Sequence, residues 1–207
     1  TEATPGQRLR TVADPIGADV WWGVPPELQH RCADVIWAPP GQASDTGAEP
    51  DFDALTGEAL MIALGYFNPP GYSSRGVVNT PEWRGAQLPS TNGHGTATGL
   101  ARMYAALLEP NRLVSTDLLA EATRPQSTGF CPVLGEETTF GLGFKPTTER
   151  RPMGPNPHSF GHFGTGGALG FADPDGRVAF GYVMNHVIPR WQSTRNRALI
   201  NAVYASL

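Results

Sequence analysis

Apolar residues recur at helical spacing after Thr96: Leu100, Met103, Tyr104, Leu107 and Leu108 fall on one stripe, and Pro110-Asn111 closes it. Thr96 has the side chain of an N-cap, so a helix over 96–108 is predicted. Ser115-Thr116-Asp117 caps a second helix, 118–123, and Thr80-Pro81-Glu82-Trp83 predicts one short turn with proline in the first helical position. A short helix is predicted from Gln7 to Ala13, stopped by Pro15-Ile16-Gly17. Trp21-Trp22-Gly23 opens an extended piece. Pro25 and Pro26 then start a helix running through Glu27 to Ile36, with Leu28, Cys32, Val35 and Ile36 on its apolar stripe. From Asp53 to Gly65 the apolar face is wide enough to predict a buried helix.

After Thr123 the pattern changes. The segments 140–144, 168–172 and 178–184 read as strands, the last two joined by Asp173-Pro174-Asp175-Gly176, which is hairpin-turn chemistry. Residues 193–206 predict a closing amphipathic helix with Leu199, Ile200, Val203 and Tyr204 inward. Helices first, then an antiparallel sheet with a covering helix, make an α+β arrangement. The stretches 38–50 and 68–95 have loop composition, with Pro69-Pro70-Gly71 as a forced turn.

Composition narrows the function classes. A chain of 207 residues can bury one substantial core, and Gly 25 with Pro 20 implies stiff, irregular connections over much of the surface. The net charge of -4 supplies no basic field, so nucleic acid is not an expected partner. No apolar run approaches a membrane span, so no membrane partner is expected either. Cys32 and Cys131 lack the paired spacing of a zinc site; buried free thiols are expected, a single bridge being the other case. Lys145 is the lone lysine, so any chemistry needing a lysine has one candidate in this chain.

The chemistry concentrates in Phe160-Gly161-His162-Phe163-Gly164-Thr165-Gly166-Gly167-Ala168-Leu169-Gly170-Phe171, a His-x-Gly run followed by small residues and an apolar strand. Such glycines mark either a bulged, twisted strand or an edge where substrate approaches the backbone. This run, with Asn79-Thr80-Pro81-Glu82-Trp83-Arg84, Pro89-Ser90-Thr91-Asn92-Gly93-His94-Gly95-Thr96-Ala97 and Gly181-Tyr182-Val183-Met184-Asn185, resembles the serine β-lactamase and penicillin-binding-protein superfamily. The likeness is to its class C-like, family VIII carboxylesterase branch. Pro15-Ile16-Gly17-Ala18-Asp19 is similar to that family's Pro-Leu-Gly segment.

The resemblance implies that 1–207 is the C-terminal portion of one β-lactamase-like domain, with a helical, loop-rich lobe over 1–135 and sheet strands plus closing helix over 136–207. It implies a serine ester hydrolase working through an acyl-enzyme, with no metal or organic cofactor and a small-molecule ester or amide as substrate. A β-lactam or D-amino-peptide hydrolase and a non-catalytic ligand-binding homologue are the alternatives. In this family a Ser-x-x-Lys motif supplies the nucleophile. Leu142 stands three residues before Lys145, so the motif is absent here and an N-terminal fragment of the same enzyme is the expected partner. Tyr66-Phe67-Asn68 matches Tyr-x-Asn literally but follows the Pro-Ile-Gly segment, where the family's tyrosine precedes it.

By the same resemblance, the backbone N–H groups around Thr165 and Gly166 would polarise the substrate carbonyl, with Gly164 and Gly166 allowing close approach. His162 occupies the Lys or His position of the third family motif, as a site residue or a strand-end histidine bonded to backbone. Phe163 replaces the threonine hydroxyl that contacts a β-lactam carboxylate, which favours neutral esters. Asn185 and His186 would line the acyl pocket or act as turn residues, and Trp21 and Trp22 would wall a leaving-group pocket or pack the lobe.

Two other patterns fail on chemistry. Asp45-Thr46-Gly47, Asn92-Gly93-His94-Gly95-Thr96 and Gly164-Thr165-Gly166 mimic the Asp, His, Ser order of subtilisin, yet the nucleophile position is Gly166. His158 and His162 have metal-ligand spacing for a helix, but Pro155 and Pro157 forbid that helix.

Overall fold

The computed structural model describes residues 3–37, 50–67, 76–164, 166–187 and 194–207. Helix α1 (Pro5–Ala13) begins in a capping box, in which Thr4 and Gln7 each accept from the other's backbone N–H. A 3₁₀ turn over Asp14–Ile16 ends at Gly17, whose φ of 62° is the left-handed conformation that glycine tolerates. Strand β1 (Val20–Trp22) follows. A second 3₁₀ helix (Pro26–Arg31) leads to strand β2 (Ile36–Trp37), and a third (Phe52–Ala54) precedes α2 (Gly57–Phe67). Next come a 3₁₀ turn (Val77–Asn79), α3 (Pro81–Gly85), β3 (Gly93–Gly95), α4 (Ala97–Leu108) and α5 (Thr116–Thr123). Strands β4 (Ser127–Cys131), β5 (Glu136–Phe140), β6 (Lys145–Pro146), β7 (Phe160–Phe163), β8 (Leu169–Asp173), β9 (Val178–Tyr182) and β10 (His186–Val187) precede the closing helix α6 (Thr194–Ala205).

The main sheet is antiparallel in the order β6-β7-β8-β9. Strand alternation divides its side chains between two faces. Phe163, Leu169 and Phe171 pack with Met153 and with Ile200 of α6, while Phe160 and Ala172 pack with Tyr104 of α4. Helix α4 sits close because Gly170 and Gly181 carry no Cβ. A Cβ at Gly170 would lie 2.2 Å from the Tyr104 ring, and one at Gly181 would lie 2.4 Å from the Ala97 carbonyl oxygen. Among the described residues β8 is the only strand paired with β9, and none of them forms a strand on the far edge of β9.

Thr80, Thr96 and Ser115 cap their helices as the sequence predicts, each side chain accepting a backbone N–H three residues on. The α+β class also holds. Five expectations are corrected. The helix over 27–36 stops at Arg31: Cys32 is extended, Asn79 donates to the Val35 carbonyl and accepts from its N–H, and Ile36 joins a parallel ladder with His186. Two successive β-branched residues favour that outcome. Helix α2 forms but is not buried; Met61 and Leu64 are 44% and 42% exposed, and Ala63 is its one buried apolar side chain among those described. The strand expected at 140–144 lies earlier, as the β4–β5 hairpin ending at Phe140, because Gly143 has φ 80° and breaks the extended run. Cys32 and Cys131 are free but only half buried. In α6, Ile200 is buried as expected while Leu199 faces solvent. The segment 38–49 and Pro69-Pro70-Gly71 lie outside the described residues, and the β4–β5 hairpin spans position 135.

Candidate functional site

His162 sits on β7 opposite Gly170 of β8, which in turn pairs with Gly181 of β9, so the three form one row across the sheet. Its neighbours Gly161 and Phe163 are buried, whereas the imidazole remains exposed. The surrounding sheet nevertheless disfavours the charged ring, and the Lys145 cation adds to the effect, so His162 has a pKa below the ordinary 6.5. The neutral imidazole is therefore the prevailing form at neutral pH. Lys145, opposite Gly161 on β6, lies 4.4 Å from the Phe140 ring centroid. Burial lowers its pKa, partly offset by the Glu136 carboxylate.

After Phe163 the chain turns sharply. The Gly164 N–H donates to the Ala168 carbonyl at 2.7 Å, and the Gly167 N–H donates to the Gly164 carbonyl at 3.0 Å. Gly167 has φ 106°, open only to glycine, and a Cβ on Gly166 would meet Met184 at 2.5 Å. The N–H of Gly164 is thus committed to the hairpin, and Thr165 lies outside the described residues. Phe163 is 1% exposed within the core below the sheet, so only its backbone reaches the His162 side of β7.

Asn185 and His186 stand beside this turn and make tertiary contacts of their own. The Asn185 side chain donates to the Asp34 carbonyl at 3.1 Å and its own carbonyl accepts from Ile36 N–H at 2.7 Å. His186 pairs with Ile36 in the ladder and accepts from Arg195 through its carbonyl. The following Val187 is buried against Gly166. Sequence reasoning missed Asn79, Met184 and Asn196 as the residues that brace this region. The doublet Val35-Ile36 was a signal for the strand that Asn79 and β10 hold.

Trp21 and Trp22 are on β1, paired with His94 and Gly93 of β3. With Arg10, Gln7, Thr11 and Gln87 they line a shallow cavity of about 340 Å³ against α1. Its polar groups are already engaged: Arg10 donates to the Val20 carbonyl and stacks 4.0 Å from the Trp21 ring, Gln87 accepts from Gly6 N–H, and the Trp21 indole donates to Asp19. Arg31 donates to the same carboxylate, and these two bonds are the main reason Asp19 has a pKa below the usual carboxylate value. His94 is held by the Asn92 carbonyl at 2.7 Å and meets Trp83 edge-on, and burial lowers its pKa.

No group of three or more metal-ligating side chains occurs among the described residues, and His158 pairs instead with Asp175. The Tyr66 side chain, Asn68 and Asp45-Thr46-Gly47 lie outside the described residues. No helix among the described residues is long and apolar enough to cross a membrane.

Residues 9–205 match the family described as Beta-lactamase. An esterase/beta-lactamase, LipL, of Mycobacterium tuberculosis is 33% identical over 114 residues, which is 50% of this chain and 24% of that protein. The crystal structure of a family VIII carboxylesterase superposes with a TM-score of 0.77 at 33% identity, over 95% of this chain and 50% of the other. A penicillin-binding-protein homologue from Caulobacter crescentus gives 0.79 at 33% identity, over 99% of this chain and 53% of its own. The chain therefore spans about half the length of these solved relatives and a quarter of the curated one.

Proposed function

We propose that this chain, which belongs to the Beta-lactamase family, forms the carbonyl-polarising edge and acyl pocket of a serine carboxylesterase acting on small or medium acyl esters. The observation that carries the reading is the turn after His162: four residues, three of them glycines, at the end of a strand whose only exposed side chain is a neutral imidazole. The likeness to a family VIII carboxylesterase over nearly the whole chain supports it. The nucleophilic serine, its lysine and the tyrosine would come from an N-terminal segment, in keeping with the half-length match.

In this mechanism the serine oxygen adds to the ester carbonyl carbon and gives its proton to the Lys–Tyr pair. The carbonyl oxygen gains negative charge and is met by the backbone N–H groups of the turn at Thr165 and Gly166. One such donor is worth about 3–4 kcal/mol in the transition state. The C–O bond to the alcohol breaks as the pair returns the proton to the leaving oxygen, and water then cleaves the acyl-serine by the reverse sequence. His162 would orient the tyrosine or contact the leaving group. A neutral ring and the missing threonine hydroxyl at Phe163 both weaken binding of a β-lactam carboxylate, which favours esters.

A fluorophosphonate probe applied to the native, full-length gene product tests this directly. Labelling of a serine N-terminal to these residues, blocked by a p-nitrophenyl acyl ester, is the expected result. A folded protein that takes no label and hydrolyses no ester would instead be a ligand-binding homologue.

A further inference from the structure

The turn between β7 and β8 is anchored from outside its own hairpin. The Gly167 carbonyl accepts a 2.7 Å hydrogen bond from the side-chain amide of Asn196, a residue with no exposed surface in the first turn of α6. Asn196 and Ile200 are four residues apart on the inward face of that helix, and Ile200 contributes to the core. An amide on such a stripe costs stability unless its donors are used. Here it fixes the peptide plane leaving Gly167, while the Gly167 N–H bond to Gly164 fixes the plane entering it. On the opposite flank Met184 and Val187 press on Gly166. Gly166 and Gly167 are thereby braced from two sides by residues later in the chain.

We infer that Asn196 is a positioning residue of the site: through the Gly167 carbonyl it orients the Gly166 N–H of the β7–β8 turn toward the substrate carbonyl. The inference rests on the reading of that turn as the carbonyl-polarising edge. A donor that turns away from the developing oxyanion loses a contact made only in the transition state, so the loss falls on kcat and spares KM.

The test compares Asn196→Leu and Asn196→Ser with Ile200→Ala, in the native full-length protein, by ester hydrolysis, melting temperature and glycine-selective ¹⁵N spectra. Ile200→Ala serves as a core-destabilised control on the same helix. The Asn196 variants should lose about ten- to a hundred-fold in kcat with KM nearly unchanged, and should shift the amide signals of Gly164, Gly166 and Gly167. The control should melt lower yet keep its kcat and those signals. If Asn196→Leu does not fold, Asn196→Ser decides by the same comparison. An active protein whose kcat is no more sensitive to Asn196 than to Ile200 would overturn this inference alone. A wild-type protein without ester hydrolysis would overturn it together with the reading on which it rests.

Discussion

Asp173 shows how much a single buried group can fix. It has no exposed surface, and its carboxylate accepts from Asn156 Nδ2 at 2.7 Å, Gly176 N–H at 3.0 Å and the Tyr204 hydroxyl. It joins the β8–β9 hairpin, the loop before β7 and α6. Burial alone would raise its pKa, but these donors outweigh burial and hold it below the ordinary 3.8. A carboxyl with a depressed folded pKa contributes stability above its unfolded value and loses it as pH falls through the folded one. Thermal melts should therefore show a loss of stability setting in below about pH 4 that Asp173→Asn abolishes. That variant should also lose about 1–3 kcal/mol at neutral pH, measured by urea unfolding, because donors are left facing an amide. For His162 the shift has the same direction, and so the same sign of pH dependence, but it favours the uncharged form: its neutral ring should persist into mildly acid solution, with an NMR titration midpoint under 6.5. His162→Ala should depress ester turnover with little change in melting temperature, since the ring is exposed.

Among the elements, helix caps and the 173–176 hairpin were legible in the sequence because each is a local contest decided within four residues. Thr96→Ala should cost about 1 kcal/mol of stability in urea unfolding, the usual value of a lost N-cap. What the sequence concealed was non-local. The role of Gly170 and Gly181 emerges only with α4 lying on them. Gly181→Ala should destabilise the protein by about 1–3 kcal/mol, detectable as a lowered urea midpoint, since a methyl there meets backbone rather than a side chain that can move. The stripe of Val35-Ile36 fits a helix; the groups that hold the pair extended, the Asn79 amide on Val35 and the His186 ladder on Ile36, are remote in sequence. The apolar composition of α2 suggested burial, yet composition reports what a helix can bury rather than what is present to cover it.

For the molecule as a whole, the family and the α+β order were readable from the motif run at 160–171 and the segments around it. The candidate site is partly readable: glycine spacing marks the turn, whereas the pocket and turn roles expected for Asn185 and His186 are not told apart by sequence, and their backbone and amide groups bond to Asp34, Ile36 and Arg195. Their side-chain chemistry is the same in either role, and only tertiary contacts separate the two.

The outer flank of β9 has one further consequence, for anyone handling the protein. A strand with one side of its amides and carbonyls unanswered is a template for whatever extended chain arrives first. Where no proper neighbour occupies that flank, two molecules will zip edge to edge, and sedimentation should reveal dimers that grow with concentration.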